Sequence, residues 1–522
     1  MNLAMADRQP LLADITVLKK AASIIALVAL ADWLFYGHRL GISLLVFVLA
    51  LALGAVFANP IRGTWRDLLV GLGVLAVAFA PLIVETSLIG FLFAAMGAAY
   101  FALTATRIGS HGSRRVADAA ALLLDGTWQA TADIARGRKW WWNAVRVADR
   151  VGAMMAWIVP VVFGAIFLFL FANANPLIEG WFTGIDLAAL LAHVSGLRIF
   201  FWLAMLSLSW PFVFMAAKSR LKAKAEAKAE ALLNTPLDLP HSALPERLFG
   251  KAAILRSLLL FNLLFALQTA LDGAYLWGGM ALPDGMTYAS YAHRGAYPLI
   301  VTALLAAAFV IAAMRPGTEA ERSPLIRNLV YLFVAQNVGL VVSSILRLNL
   351  YVEVLSLTYW RIAAFIWMGL VAAGLLLIVL RIVLRRSNSW LIGMNLVSLA
   401  ATLYVCAFVN FPALIADYNV THSREISGKG QSLDFGYVLS LGSHAIPALD
   451  YFANRGDHAS SGRIWNPSAA DRRDASTDTR WARDELLKPH LARMQDWRAW
   501  SYRDWQLARY LRDKAEADKT AP

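Results

Sequence analysis

A single cysteine, Cys406, occurs in 522 residues, and it lies inside an apolar run. No intramolecular disulfide and no thiolate metal site can be built from it. Charge is scarce too: Asp, Glu, Lys and Arg make up 16% of the chain, against about 25% in soluble globular proteins. The nine histidines are scattered, with no HExxH and no close pair, so nothing points to a metal. Catalytic signatures are missing as well. There is no G-x-S-x-G elbow, no GxxxxGK[ST] phosphate loop and no pair of carboxylates at metal spacing. The expectation is a protein that is not an enzyme and carries no cofactor. Strand-like alternation is absent, which excludes a membrane barrel. Residues 1–20 hold Asp7, Asp14, Lys19 and Lys20, and no small-residue cleavage site follows. A cleavable signal peptide is therefore not expected, and the first apolar run reads as a retained helix that also directs insertion.

Present instead are long apolar runs. Hydrophobic residues make up 59% of the chain and the mean hydropathy is +0.55. Runs of about 20 apolar residues read as transmembrane helices, because backbone polar groups in hydrocarbon must be satisfied internally. Eleven spans are expected, at 21–36, 38–58, 68–85, 87–104, 151–172, 197–217, 251–272, 297–314, 328–350, 359–380 and 390–411. The first is short and contains Asp32, which makes it the weakest. The fold class is all-α: a polytopic helical bundle of about 11 spans, 21–411, after a cytoplasmic segment 1–20. A small helical tail, 412–522, follows it. The Gly71-x-Gly73 pair sits within a span and reads as a helix-packing feature. No internal repeat stands out.

The formal charge of +13 is spread in alternate loops, so nucleic acid is not an expected partner; the bilayer is. With the N-terminus inside, the inner segments hold 25 Lys and Arg, while the outer loops before residue 412 hold only Arg39 and Arg294. That is the positive-inside bias. An odd span count then places the tail outside the cytoplasm, and its 16 basic residues do not oppose this, since long translocated segments escape the rule.

Two inner loops, 105–150 and 218–250, are long enough for structure. Trp128 and the run Lys139-Trp140-Trp141-Trp142 suggest an interfacial helix, or alternatively an aromatic binding box. Residues 218–232 read as a solvated helix in which Lys222 and Glu226 can pair. In the tail, 433–453 reads as one or two short helices broken at Gly442 and Pro447, and 456–479 as a linker. Trp481, Leu486, Leu487, Leu491, Met494, Trp497, Trp500 and Trp505 then recur at helical spacing, as a face packed on the membrane domain.

Several segments together are similar to a known family. They are Gly278-Gly279, Leu282-Pro283, Thr287-Tyr288-Ala289 and Tyr291-x-x-Arg294-Gly295; RLNLYVEVLSLT within 342–370; IADYN and LDFGYVLSLGSHAIPAL within 410–449; and DWRAWSYRDWQLARY near the end. They resemble a family of uncharacterised bacterial polytopic membrane proteins catalogued as a domain of unknown function. The resemblance covers residues 250–510 well, and the earlier spans by hydropathy. His293, Tyr297 and His444 depart from it. It implies a multi-pass protein of the bacterial cytoplasmic (inner) membrane and supplies no mechanism.

Polar residues inside spans are costly and usually face a partner or water. Gln336, Ser343 and Arg347 fall within about 40° on one helix, and Asn337 and Ser344 widen the stripe. Gln268 and Asp272 are four apart, hence on one face, and Arg347 is expected to meet Asp272. Tyr351, Glu353, Thr358 and Arg361 fill and flank a short outer loop. The cluster reads as an interhelical polar lock, a substrate or ion pathway, or a docking surface. Two functions follow: a non-enzymatic envelope protein whose outer tail docks on or senses an envelope partner, or a secondary transporter or channel using the polar faces of the seventh and ninth spans. The sequence sets neither a ligand nor an oligomeric state.

Overall fold

The computed structural model describes residues 8–108, parts of 112–126, 196–215, 251–274, parts of 305–310, 322–455 and 475–520. These residues are helical apart from short connections, without a strand among them. Two compact units are formed: residues 1–219 with 493–522, and residues 220–492.

The first unit contains α1 (Arg8–Phe35), α2 (Ile42–Ala58), α3 (Trp65–Val84), α4 (Leu88–Thr106), α5 (Gly196–Val213) and, from the end of the chain, α14 (Tyr502–Thr520). Its core joins Leu27, Leu34, Phe47, Leu51, Leu82 and Phe212 to a row of alanines on α4. Small residues dominate there because a lipid environment supplies no hydrophobic drive, so helices associate by close backbone approach. Gly97 shows how close: a Cβ there would lie 2.4 Å from Cβ of Ala78 on α3. Gly71 likewise meets Phe101 and Thr104, whereas Gly73 faces open space, so one glycine of the pair serves the packing.

Helix ends are capped by local chemistry. Thr64 and Asp67 form a reciprocal capping box at the start of α3, and Arg107, just past α4, adds a fork onto the same carboxylate at 2.9 and 2.7 Å. Arg62 and Gly63 donate backbone N–H groups to the Ala105 carbonyl. One end of α1–α4 thus gathers Arg62, Asp67 and Arg107. The other end carries the connections 36–41 and 85–87.

The second unit contains α6 (Lys251–Asp272), α7 (Pro324–Leu355), α8 (Tyr359–Val383), α9 (Asn388–Cys406), α10 (Phe411–Thr421), α11 (Phe435–Ser440), α12 (Ile446–Arg455) and most of α13 (Ala475–Met494). Ile254, Leu258, Val330, Phe333, Met368 and Leu375 form its core. The 32 residues of α7 extend about 48 Å at 1.5 Å per residue, well beyond the roughly 30 Å of a hydrocarbon core. Its last turns therefore have length to spare for a polar surface.

Seven of the described helices, α3 to α9, are long and apolar enough to cross a membrane, and α2 is a shorter apolar helix. The expected spans 151–172 and 297–314, the Lys139-Trp140-Trp141-Trp142 run of the 105–150 loop, and 218–250 lie outside the described residues, apart from isolated positions. Other expectations need correcting. The first apolar run does not start a helix of its own but continues the polar residues 8–20 in one 28-residue helix, which is not among those seven. The eleventh ends at Cys406, because Pro412 opens α10 at its first turn. Pro447 does not break a helix but sits in the first turn of α12; the break is at Gly442, whose φ of +80° suits glycine. Residues 475–479 belong to α13 rather than to a linker.

Candidate functional site

Most of the polar stripe on α7 is buried. Asn337 is 1% exposed, Ser343 and Ser344 5%, and Arg347 3%. Ser344 and Asn337 return hydrogen bonds to carbonyls one turn back, on Leu340 and Phe333. Gln336 reaches across to α6, donating to the Asn262 carbonyl at 3.2 Å. Asn262, which the sequence reading passed over, is the centre of this contact. Its amide donates to Leu258 on its own helix and to Leu329 on α7. The signal was an amide halfway along an apolar run. Gln268 is half-buried on α6; the Asp272 side chain, and with it the expected contact to Arg347, lies outside the described residues.

Tyr351, Glu353, Thr358 and Arg361 form a separate group at the α7–α8 connection. Ser356 takes φ +70° and ψ 171°, a region that non-glycine residues enter only when the surroundings over-determine them. Here they do. Arg361 lays its guanidinium over the Tyr351 ring at 4.5 Å and donates to the carbonyls of Leu355 and Ser356. Thr358 caps α8, and Glu353 accepts from Asn349 at 2.7 Å. The tail completes the arrangement. Asn419 on α10 holds Leu357 from both sides, accepting from its N–H at 2.6 Å and donating to its carbonyl at 2.9 Å. The Tyr359 N–H donates to the Tyr437 hydroxyl. Nearby, burial pushes the Tyr418 hydroxyl above its ordinary value, and the Glu353 charge adds to this. The contacts described thus fall in two places: an amide and serine stripe along the middle of α7, and a lock at its end.

The first unit holds two further sites. Asp32, which weakened the first span as a sequence, is matched by Arg198 on α5. The fork donates at 2.9 and 2.5 Å, and Trp202 Nε1 adds a third bond at 2.9 Å. At the same end of the helices, the close of the chain fastens on. Trp500 accepts from Ile42 N–H at 2.8 Å, His38 meets Asp496 at 3.2 Å, and Arg503 pairs with Glu85. Arg498 stands over the Trp33 ring at 4.8 Å, and Trp33 packs on Trp497 at 5.9 Å. Gly41 permits this approach, since a Cβ there would fall 2.3 Å from the Ala499 backbone. The expected single aromatic stripe is not what forms. On α13 the buried side chains are Thr479, Ala482, Leu486 and His490, while Trp481 and Leu491 are exposed. The helix stops at Met494 and a new one starts at Tyr502, capped by Ser501.

A family model, described as domain of unknown function (DUF4153), matches residues 22–451. The chain belongs to this family. The DUF4153 match reaches back into α1, where the sequence resemblance rested on hydropathy alone, and runs to α12. It includes the polar stripe, the α7–α8 lock and the Asp32–Arg198 pair. It does not include α13, α14 or the segment that fastens on Gly41. No curated protein and no solved structure matches the chain.

Proposed function

We propose that this DUF4153 protein is a non-enzymatic, eleven-span protein of the bacterial inner membrane, with its N-terminus in the cytoplasm and its tail outside. In this reading the tail is a fixed platform that docks on or senses another envelope protein. The observation that carries it is the place where residues 496–503 are fastened. They bind the end of α1–α4 that holds His38, Gly41 and Glu85. Arg62 and Arg107 mark the opposite end. The positive-inside bias puts the basic end in the cytoplasm, which leaves the tail on the other side. Trp497, Tyr502 and Trp505 stay between 36% and 49% exposed, and aromatic side chains of this kind are favoured anchors at protein interfaces. Reporter fusions at residues 232 and 460 test the topology: they should report opposite sides, and two cytoplasmic signals would overturn it. A photoreactive residue at position 502 tests the docking role, with a crosslinked envelope protein expected and crosslinks to lipid alone counting against it.

The second reading, a secondary transporter or channel, draws on the buried amides of α6 and α7. Against it, both helices are continuous through that depth, whereas transporter sites are typically formed by interrupted helices.

A further inference from the structure

At the contact of α6 with α7, acceptors outnumber donors. The side-chain oxygens of Asn262, Gln336 and Asn337 are shut off from solvent and accept no hydrogen bond among the described residues. The corresponding nitrogens are all engaged: Asn262 with two carbonyls, Gln336 with the Asn262 carbonyl, Asn337 with the Phe333 carbonyl. Exchanging O and N in any of these amides would set an oxygen against a carbonyl oxygen, so the partners fix each orientation. The oxygens left over are therefore a property of the site. Buried acceptors without donors are costly in a low dielectric, and a membrane interior offers no bulk water to relieve them.

Their setting narrows the complement. Asn262 is halfway along α6. On α7, Gln336 and Asn337 lie about 60° and 40° to either side of the direction of Phe333. Phe333 packs on Phe261 and Phe265, with ring centroids at 5.9 and 5.1 Å. The oxygens thus lie along one helix contact, beside the packed rings of Phe261, Phe265 and Phe333. A group that complements several neutral acceptors must donate or be positively charged. Among the described residues no three His, Cys, Asp or Glu gather as metal ligands, and hard divalent ions are normally held by carboxylates. Amide and carbonyl oxygens in a neutral site suit an ion of single charge, and ring faces add attraction for it.

We propose that Asn262 and Gln336, with Asn337 as a third oxygen, form a site for a dehydrated monovalent alkali cation, of sodium's chemistry, between α6 and α7. This goes beyond the docking role and does not depend on which side the tail occupies. A site at this depth makes the seventh and ninth spans responsive to the ionic medium, either as a structural ion or as one step of a path.

The test uses the full chain purified in detergent, with radiolabelled sodium in choline chloride buffer and a scintillation proximity readout. Saturable retention of about one ion per chain is expected, displaceable by unlabelled sodium chloride. Asn262→Leu and Gln336→Met should each weaken it about tenfold or more, since loss of even an outer-shell partner costs that much in other metal sites. Asn395→Leu, on α9, should leave it unchanged. Gln336→Met keeps length and unbranched shape, so it remains informative where Asn262→Leu does not fold. No saturable retention by the wild type would overturn the proposal and leave the oxygens to water. Undiminished retention in folded Asn262→Leu and Gln336→Met would overturn it equally, by placing the ion elsewhere. Neither result bears on the reporter fusions.

Discussion

Replacing Arg198 by alanine leaves Asp32 with Trp202 as its remaining hydrogen-bond partner among those described. The carboxylate loses a two-bond fork and the opposing charge together. Breaking a buried ion pair from one side typically costs about 3–5 kcal/mol, since the other charge stays behind uncompensated. The pair is not fully enclosed: the side chains of Arg198 and Asp32 retain 25% and 17% exposure, so water takes up part of the loss. An effect of about 2–3 kcal/mol is the better figure. At roughly 2–4 °C per kcal/mol for a unit of this size, tryptophan-monitored unfolding in detergent should shift down by about 4–12 °C. Asp32→Ala removes the carboxylate but leaves Arg198 over the Tyr36 and Trp202 rings, and should cost no more. The double variant carries no stranded charge and should recover about 1–2 kcal/mol relative to the summed singles. Arg198→Lys keeps the charge but loses the fork, and belongs between the wild type and alanine. Single losses that simply add in the double variant would refute the pairing as an energetic unit. So would an Arg198→Ala protein that melts within a degree of the wild type.

Ser356→Gly removes a side chain from a conformation costing about 1–3 kcal/mol, against the roughly 0.5–1 kcal/mol of extra chain entropy that glycine loses on folding. A net gain of up to about 2.5 kcal/mol, read as a rise in melting temperature, is expected; a loss would show that the hydroxyl has a role of its own. Asp496 is held below the ordinary carboxylate range, first by the Arg498 backbone N–H and then by the Arg498 charge and the His38 ring. A lowered folded value means that its contribution is present above about pH 4 and is lost as pH falls through the lowered value. Pepsin should therefore nick 495–500 increasingly below about pH 4, and Asp496→Asn should remove that pH dependence; an unchanged profile in the variant would count against it.

Helix existence was legible wherever apolar residues run on without interruption, because such runs have only one way to satisfy their backbone in hydrocarbon. Helix ends were less so. The polar residues 8–20 continue α1, yet they read as a separate segment, since hydropathy registers the solvent and not the backbone. Pro447 looked like a break because proline disrupts helix interiors, but in the first turn its missing N–H costs nothing. The stripe on α7 could be read from its spacing. Its partner Asn262 could not be ranked above other lone polar residues until the carbonyls of α7 were in place. Asp32 shows the limit most clearly: alone it is a liability in a span, and what neutralises it stands 166 residues further on. On α13 the larger residues drew attention, and Leu486 is buried as expected, yet so are Thr479 and Ala482 while Trp481 is not. Composition says which residues prefer burial, not which face the neighbours cover.

The contact between His38 and Asp496 spans 458 residues, and that separation sets a timetable. At about 5–20 residues per second of synthesis, the first helices emerge roughly 20–90 s before the segment that completes their rim. During that interval the Ile42 N–H has no Trp500 carbonyl, Glu85 has no Arg503, and the Gly41 notch stands open. The early bundle must then persist on its own alanine-lined contacts while the rest of the chain is threaded past it. The close of the chain acts as a late clasp: it cannot guide the insertion of α1 and α2, and it can only seal an arrangement already reached.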